Sequence, residues 1–395
     1  MLELKGKYST AKVYTNVIEE TAIGQIIEVC NQEFTNGCKI AIMPDVHAGK
    51  GCTIGTTMEI KDKVVPNLVG VDIGCGMLCI KLKDKDIDFQ ALDDIIRKHV
   101  PYGMNIRNHP HKFISNVNLE DLKCKKVINM DRAEKSLGSL GGGNHFIEVN
   151  KDEFDNLYLV IHTGSRNLGK QIAEYYQDIA INSLTDTTDK KKELIAKLKA
   201  EGRSQDIQSE LKKIEKPKIA THLAYLEGEN LKNYLHDIDI AQRYSTENRH
   251  AIADTIISTM GLTIDESFTT IHNYIDLKYS ILRKGAISAQ LGEKVIIPIN
   301  MRDGSIIAIG KGNPEWNYSA PHGAGRILSR GKAKEQLSID EFKNTMSNVW
   351  STSVCESTLD ESPMAYKPID DILNNVQDTI DIQTILKPVY NFKAN

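Results

Sequence analysis

Short β-type runs in this 395-residue chain repeatedly end on, or start from, glycines and chemically active side chains. Ile40-Ala41-Ile42-Met43 leads into Pro44-Asp45. Tyr158-Leu159-Val160-Ile161 stops at His162-Thr163-Gly164-Ser165-Arg166, and Phe268-Thr269-Thr270-Ile271 runs into His272-Asn273. Met77-Leu78-Cys79-Ile80 follows Asp72-Ile73-Gly74-Cys75-Gly76. An apolar run bounded by turn residues reads as a buried strand, and polar residues just past its end are presented by a rigid scaffold. A long helical pattern from Leu223 to Met260 separates the last cluster from the others, so the chain must fold back on itself to unite them. The expected fold is mixed α/β, α and β elements in one domain over residues 1–395.

Further strands are expected at Val64-Val65, Lys294 to Ile299 and Ile306 to Ile309, and helical spacing recurs from Asp88 to His99 and leads from Asp131 to Leu140. Residues 185–218 form a Lys/Glu-rich tract with apolar positions at steps of three and four and Gly202 in the middle, which predicts a protruding helical hairpin. No repeat of fixed period and no Pro- or Ser-rich linker divides the chain. No run of about 18 apolar residues occurs. Charges between Met1 and Lys12 fall where a signal peptide needs an apolar core. Seven cysteines, an odd number without a repeated C-x-x-C, point to reduced thiols. The expectation is a cytoplasmic protein without a membrane partner, and its formal charge of −4 excludes an indiscriminate coat of basic charge for nucleic acid.

Asp72 and Cys75 lie three residues apart on a backbone freed by Gly70, Gly74 and Gly76, so a carboxylate and a thiolate can meet one cation. His145 follows three adjacent glycines, and His162 and His272 each follow a strand pattern. A lone histidine there is most simply a satisfied hydrogen-bonding residue, but three of them with Asp72 and Cys75 suit divalent-metal ligation. Five ligands exceed the four of a closed structural zinc site. Ligand softness favours zinc, with iron, cobalt or manganese behind it, and two ions about 3.5–4 Å apart would suit phosphoryl or nucleotidyl transfer. His322 sits among glycines with Arg326 and Arg330 four and eight residues on, a nucleophile or acid/base beside phosphate clamps, and Arg166 could be another. No Walker A loop is present, since Gly49-Lys50-Gly51 lacks the Ser/Thr and the upstream Gly.

These blocks resemble the RtcB family of RNA-splicing ligases. The resemblance rests on MPDVHAGKGCTIGTT (residues 43–57), VGVDIGCGM (69–77), GSLGGGNHFIEV (138–149), IHTGSRNLG (161–169), His272-Asn273, RKGA (283–286), HGAGR with the following SR (322–330), and ESPMAYK with the tail LKPVYNFK. It implies GTP and two manganese ions as cofactors, with Asp72, Cys75, His145, His162 and His272 as ligands and the Cys75 thiolate shared. His322 matches the histidine that becomes guanylylated. Asn144, Phe146, Glu148 and Asn273 match positions around the nucleotide, and Tyr366 and Lys393 positions on its guanine side. Arg166, Arg326 and Arg330 would contact phosphates or RNA, and Asp45 matches an acidic residue supporting the site. The activity implied is joining of RNA 3′-phosphate or 2′,3′-cyclic phosphate ends to 5′-hydroxyl ends, in repair or tRNA splicing. A monomer, with an archease-like protein as activator, is the expected assembly. The alternative on the same metal site is an RNA-end phosphoesterase or cyclic phosphodiesterase. One block departs: the family's P-G-S-M-G loop is replaced by Pro298-Ile299-Asn300-Met301-Arg302-Asp303-Gly304, which removes a hydroxyl donor and adds a charge. The chain is also short for the family, so it resembles a compact paralogue branch.

Overall fold

Gly76–Leu82 and Leu157–Thr163 are almost wholly buried strands, and they pair antiparallel as the second and third strands of a seven-stranded sheet. The structure is a computed structural model and describes residues 1–214 and 217–394. These two interior strands read as continuous apolar runs because both faces of the sheet are covered. Side chains alternate across a strand. Leu78, Ile80 and Leu82 therefore join Leu159 and Ile161 against Leu92, Ile96, Ile252 and Ile256 of two helices, whereas Met77, Cys79 and Val160 face a second, smaller cluster with Ile296, Ile307 and Leu386. In strand order the sheet runs Ile264–Ile271, Gly76–Leu82, Leu157–Thr163, Phe146–Lys151, Ile380–Lys393, Gly304–Gly310 and Lys294–Asn300.

A six-stranded sheet carries Leu2–Lys5, Thr10–Val13, Ile40–His47, Ile54–Glu59, Ile281–Lys284 and Asn273–Asp276. The two sheets meet at one residue. Ile264–Ile271 is the edge of the larger sheet and Asn273–Asp276 the edge of the smaller, and only His272 lies between them. Across the back runs the helix Gly228–Met260, which ends on Gly261 in the left-handed conformation (φ 68°) that glycine adopts without penalty. Its first half packs Tyr234, Ile238 and Ala241 into the core of the smaller sheet, and its second half packs Ile252 and Ile256 under the larger one.

The fold is the mixed α/β arrangement expected, with element differences that have local causes. The helix Arg166–Thr185 starts where only a polar loop was legible, with Gly169 in its first turn. Leu2–Lys5 and Thr10–Val13 are strands in which Lys, Glu and Thr are interleaved with the apolar residues. Pro298 to Gly304 is a strand end and tight turn: Asn300 Oδ1 accepts from the backbone N–H groups of Arg302 and Asp303, and Met301 is buried against Phe342 and Met346. Within 185–218 the chain forms helices Thr188–Ala200 and Ile207–Leu211 on either side of Gly202; Glu215 and Lys216 of that tract lie outside the described residues. The seven cysteines are free thiols. Among the described residues no helix is long and apolar enough to cross a membrane.

Candidate active site

The seam between the sheets opens into a cleft of about 310 Å³. Asp72 and Cys75 enter it from the turn before the strand Gly76–Leu82. Gly74 has a positive φ of 72°, and a Cβ there would stand 2.8 Å from the Ser245 Cβ, so glycine lets the turn lie against the long helix. Ser245 Oγ and Arg249 Nη1 both donate to the Gly74 carbonyl, and Arg249 Nη1 also donates to the Thr163 carbonyl, which fixes this turn relative to His162. His162 closes its strand opposite Met77 and Phe146, and strand periodicity sends it to the same face as Val160, toward the cleft.

Five side chains converge there. Cys75 Sγ lies 3.5 Å from His145 Nε2 and 3.3 Å from His162 Nε2; His162 Nε2 is 3.4 Å from His272 Nε2, and His145 Nε2 is 3.0 Å from Asp72 Oδ2. Two sets of three ligand atoms, Asp72–Cys75–His145 and Cys75–His162–His272, each fall within 4.8 Å, and Cys75 belongs to both. The other ring nitrogens explain the polarity. His145 Nδ1 is 2.8 Å from the Leu140 carbonyl and His162 Nδ1 is 3.2 Å from the Asn144 carbonyl. A nitrogen facing a carbonyl carries the proton, so both Nε2 atoms aim lone pairs at sulfur, carboxylate and another imidazole. Inward lone pairs set this close together form a donor set that can take up a divalent cation. Burial pushes His162 and His272 well below the ordinary imidazole value, which keeps them neutral as ligands must be. Burial, with the Asp72 charge second, pushes the Cys75 thiol well up; a divalent ion on the sulfur reverses that preference. The donor set therefore fits two divalent ions sharing the thiolate.

His322 stands at the edge of this cluster, its ring centroid 4.9 Å from that of His272. Asp45, fully buried, places Oδ2 2.6 Å from His322 Nδ1, and the same oxygen accepts from the His322 backbone N–H at 3.1 Å. The carboxylate holds the proton on Nδ1 and leaves the Nε2 lone pair free. Gly325 lies against the Asp45 backbone, where a Cβ would come within 2.6 Å of its carbonyl oxygen. Buried Lys367 donates to the carbonyls on either side of Asp45, those of Pro44 and Val46. His47, which the sequence did not single out, lines the cleft and sets Nδ1 2.9 Å from the Asp45 carbonyl.

Among the residues expected around a nucleotide, Asn144, Phe146, Asn273, Tyr366 and Lys393 line the cleft, as do Arg326 and Arg330. Three others sit behind it. Asp45 acts from beneath His322. Glu148 lies below the floor with its oxygens taken by the side-chain amides of Asn150 and Asn391, and burial raises its carboxyl to about 7. Arg166 is bound to Ser139 Oγ and the Gly103 carbonyl behind the triple-glycine turn. Glu361 was not foreseen: it lines the cleft yet is 3% exposed, and Arg326, Arg330, Lys393 and Tyr366 all touch it. Its only sequence signal is its place five residues before Tyr366 in the ESPMAYK block. The departing segment supplies Pro298, Ile299, Asn300 and Met301 to the wall, with the Asn300 side chain committed to its own turn.

Residues 25–130 and 109–394 match the family model described as tRNA-splicing ligase RtcB. The chain is 31% identical over 417 residues to RNA-splicing ligase RtcB1 of Escherichia coli strain ATCC 25922, covering 95% of each chain. It is 30% identical to RNA-splicing ligase RtcB of E. coli K12 with the same coverage. Against the tRNA-splicing ligase RtcB of Archaeoglobus fulgidus it is 25% identical, over 91% of this chain and 88% of the relative.

Proposed function

The chain belongs to the RtcB family of RNA-splicing ligases, and from that premise we propose that it joins RNA 3′-phosphate or 2′,3′-cyclic phosphate ends to 5′-hydroxyl ends at the expense of GTP. The observation that carries this reading is a pair of ligand triads sharing Cys75, beside a histidine whose Nδ1 is held by a buried carboxylate. Asp72, Cys75, His145, His162 and His272 would hold two manganese ions. Bound there, the ions would supply charge neutralisation for phosphates in the cleft.

In the tautomer that Asp45 selects, with the proton on Nδ1, His322 Nε2 presents its lone pair and attacks the α-phosphorus of GTP; the N–P bond forms as the bond to pyrophosphate breaks. Asp45 stabilises the positive ring that results, in the way a buried carboxylate stabilises the imidazolium of a catalytic triad. A 3′-phosphate oxygen of RNA then displaces His322 and takes the GMP, and the ring returns neutral. Attack by the 5′-hydroxyl oxygen on the activated 3′-phosphate forms the new phosphodiester and expels GMP. Arg330 would balance charge on the transferred phosphates, and Lys393, which also lines the cleft, would lie toward the base. A cyclic phosphate must first be opened by water. The chain would act as one catalytic unit and as a monomer, with residues 185–218 an appended hairpin and an archease-like activator its protein partner.

The test is adduct formation. Wild-type protein with manganese and α-labelled GTP should retain label covalently, and His322→Ala should lose it while keeping its metal content. Absence of adduct in wild type with any divalent metal and any nucleotide sinks the ligase reading. Phosphate release from RNA ends without nucleotide, unaffected by that substitution, would make the protein a phosphoesterase instead.

A further inference from the structure

One wall of the cleft is organised by a residue that touches no reacting atom. Glu361 Oε2 accepts from Lys393 Nζ at 3.0 Å and from the Tyr366 hydroxyl at 2.8 Å, and Oε1 faces Arg330 Nη2 at 3.0 Å and Arg326 Nη1 at 3.4 Å. Each oxygen thus meets two donors, which fills the four lone-pair sites a carboxylate offers. The partners come from separate segments: the loop after His322, the start of helix Arg330–Gln336, the turn at Tyr366 and the end of the last strand. No other described carboxylate touches all three cations. Lys393 and Arg330 outweigh the burial that would raise the Glu361 carboxyl and hold it at about 2, so it neither donates nor takes a proton near neutrality.

The three cations differ in what they can still do. Arg326 spends four of its five N–H groups on the Leu328 and Asp360 carbonyls, Glu361 and Tyr366, and is a strut. Arg330 is about half exposed and, among the described residues, bound only to Asp360 and Glu361, and the Lys393 ammonium rests on Glu361 and the Asn144 carbonyl. Without Glu361, three like charges in one wall would repel, and Arg330, left with Asp360 as its one carboxylate among the described residues, would turn toward solvent. We propose that Glu361 is a positioning residue that, braced by Lys393 and Arg326, holds Arg330 where it meets the phosphates of the nucleotide; this rests on the ligase reading for the identity of that anion.

Two effects of removing the charge oppose each other, which makes the claim testable. On Coulomb grounds alone, deleting an anion from an anion site tightens binding. Loss of the organised cations loosens it. The second effect outweighs the first. With the manganese-loaded protein, Glu361→Gln should weaken GTP, read from the concentration dependence of adduct formation, by on the order of tenfold. The saturated rate should fall less than the affinity, and metal content should stay at the wild-type level. Glu361→Asp should recover part of the affinity. In an Arg330→Gln background the Glu361→Gln effect should shrink, because the residue acts through Arg330. Unchanged or tighter GTP binding overturns the proposal, as does a loss confined to the saturated rate, or full additivity of the two substitutions. Should Glu361→Gln not fold, Glu361→Asp and Arg330→Gln, alone and combined, decide by the same additivity. If wild-type protein forms no adduct, the ligase reading fails by itself, and binding of inorganic pyrophosphate to the same variants judges the role of Glu361 with the same signs.

Discussion

Asp45→Asn isolates the charge that the first chemical step uses. The substitution leaves the local geometry intact for a structural reason. Asp45 Oδ2 accepts from both the backbone N–H and Nδ1–H of His322, whereas Oδ1 has no hydrogen-bond partner among the described residues and faces the backbone at Gly55. The asparagine carbonyl can take the first position and keep both bonds, and its NH₂ lands where an oxygen already goes unpartnered. The tautomer is preserved and the charge is lost. As Nε2 bonds to phosphorus the ring becomes cationic; at an effective dielectric near 20, a full unit charge about 4 Å from the carboxylate is worth about 4 kcal/mol. With half the charge developed in the transition state, about 2 kcal/mol is lost, or about 30-fold in rate. The assay is single-turnover adduct formation at saturating GTP and manganese, with metal content measured on the same sample. A rate within threefold of wild type would refute the electrostatic role of Asp45, and loss of bound metal would show that the residue holds the architecture instead.

Two further substitutions probe the site from behind. A Cβ at Gly164 would overlap the Asp72 carboxylate, so Gly164→Ala should remove at least one of two bound metal ions in elemental analysis while the fold survives; full metal content would count against Asp72 as a ligand. Glu148 has its folded-state pKa raised from 4.5 to about 7, so the folded protein binds a proton that the unfolded chain releases, and stability declines as pH rises through that window. Glu148→Gln should therefore raise the melting temperature at pH 8, by an effect on the order of 3 kcal/mol, and not at pH 4. Asn150 and Asn391 each have an Oδ1 without a partner among the described residues, and either can turn to accept from the new amide. An equal gain at both pH values would mean that the gain is not ionic.

What the sequence discloses depends on whether the signal is local. The interior strands were legible because burial on both faces leaves long apolar runs, and His162 was legible because it interrupts one. The helix Arg166–Thr185 was not, because Gly169 in its first turn and the positive φ of Arg166 (57°) lie where a helix start is ordinarily sought. The turn at 300–303 is encoded by Asn300 capping two N–H groups, a side-chain-to-backbone bond that periodicity does not register. Spacing alone paired Asp72 with Cys75; that the sulfur belongs to two triads depends on His145, His162 and His272 arriving from three other segments. Glu361 is the extreme case, since the three cations that give it meaning are brought by tertiary structure.

The net charge of −4 makes the same point about function. It describes a surface averaged over the whole molecule, but the anions of the cleft are already engaged. Asp72 faces His145 and accepts from the Ser165 backbone N–H, and Glu361 is filled by its four donors. What remains on offer to a ligand is positive: Arg330, Lys393 and any ions held by the five ligands. These cations line a recess of about 310 Å³, Lys393 buried and Arg330 about half exposed, rather than an open stripe. A phosphate within a continuous strand carries one charge and is flanked by nucleotides on both sides, so reaching the recess would require burying both neighbours. A terminal phosphate carries a second charge and is flanked on one side only. On the ligase reading, discrimination for RNA ends therefore comes from depth as well as from charge, and an acidic protein can grip a polyanion at its end without binding along its length.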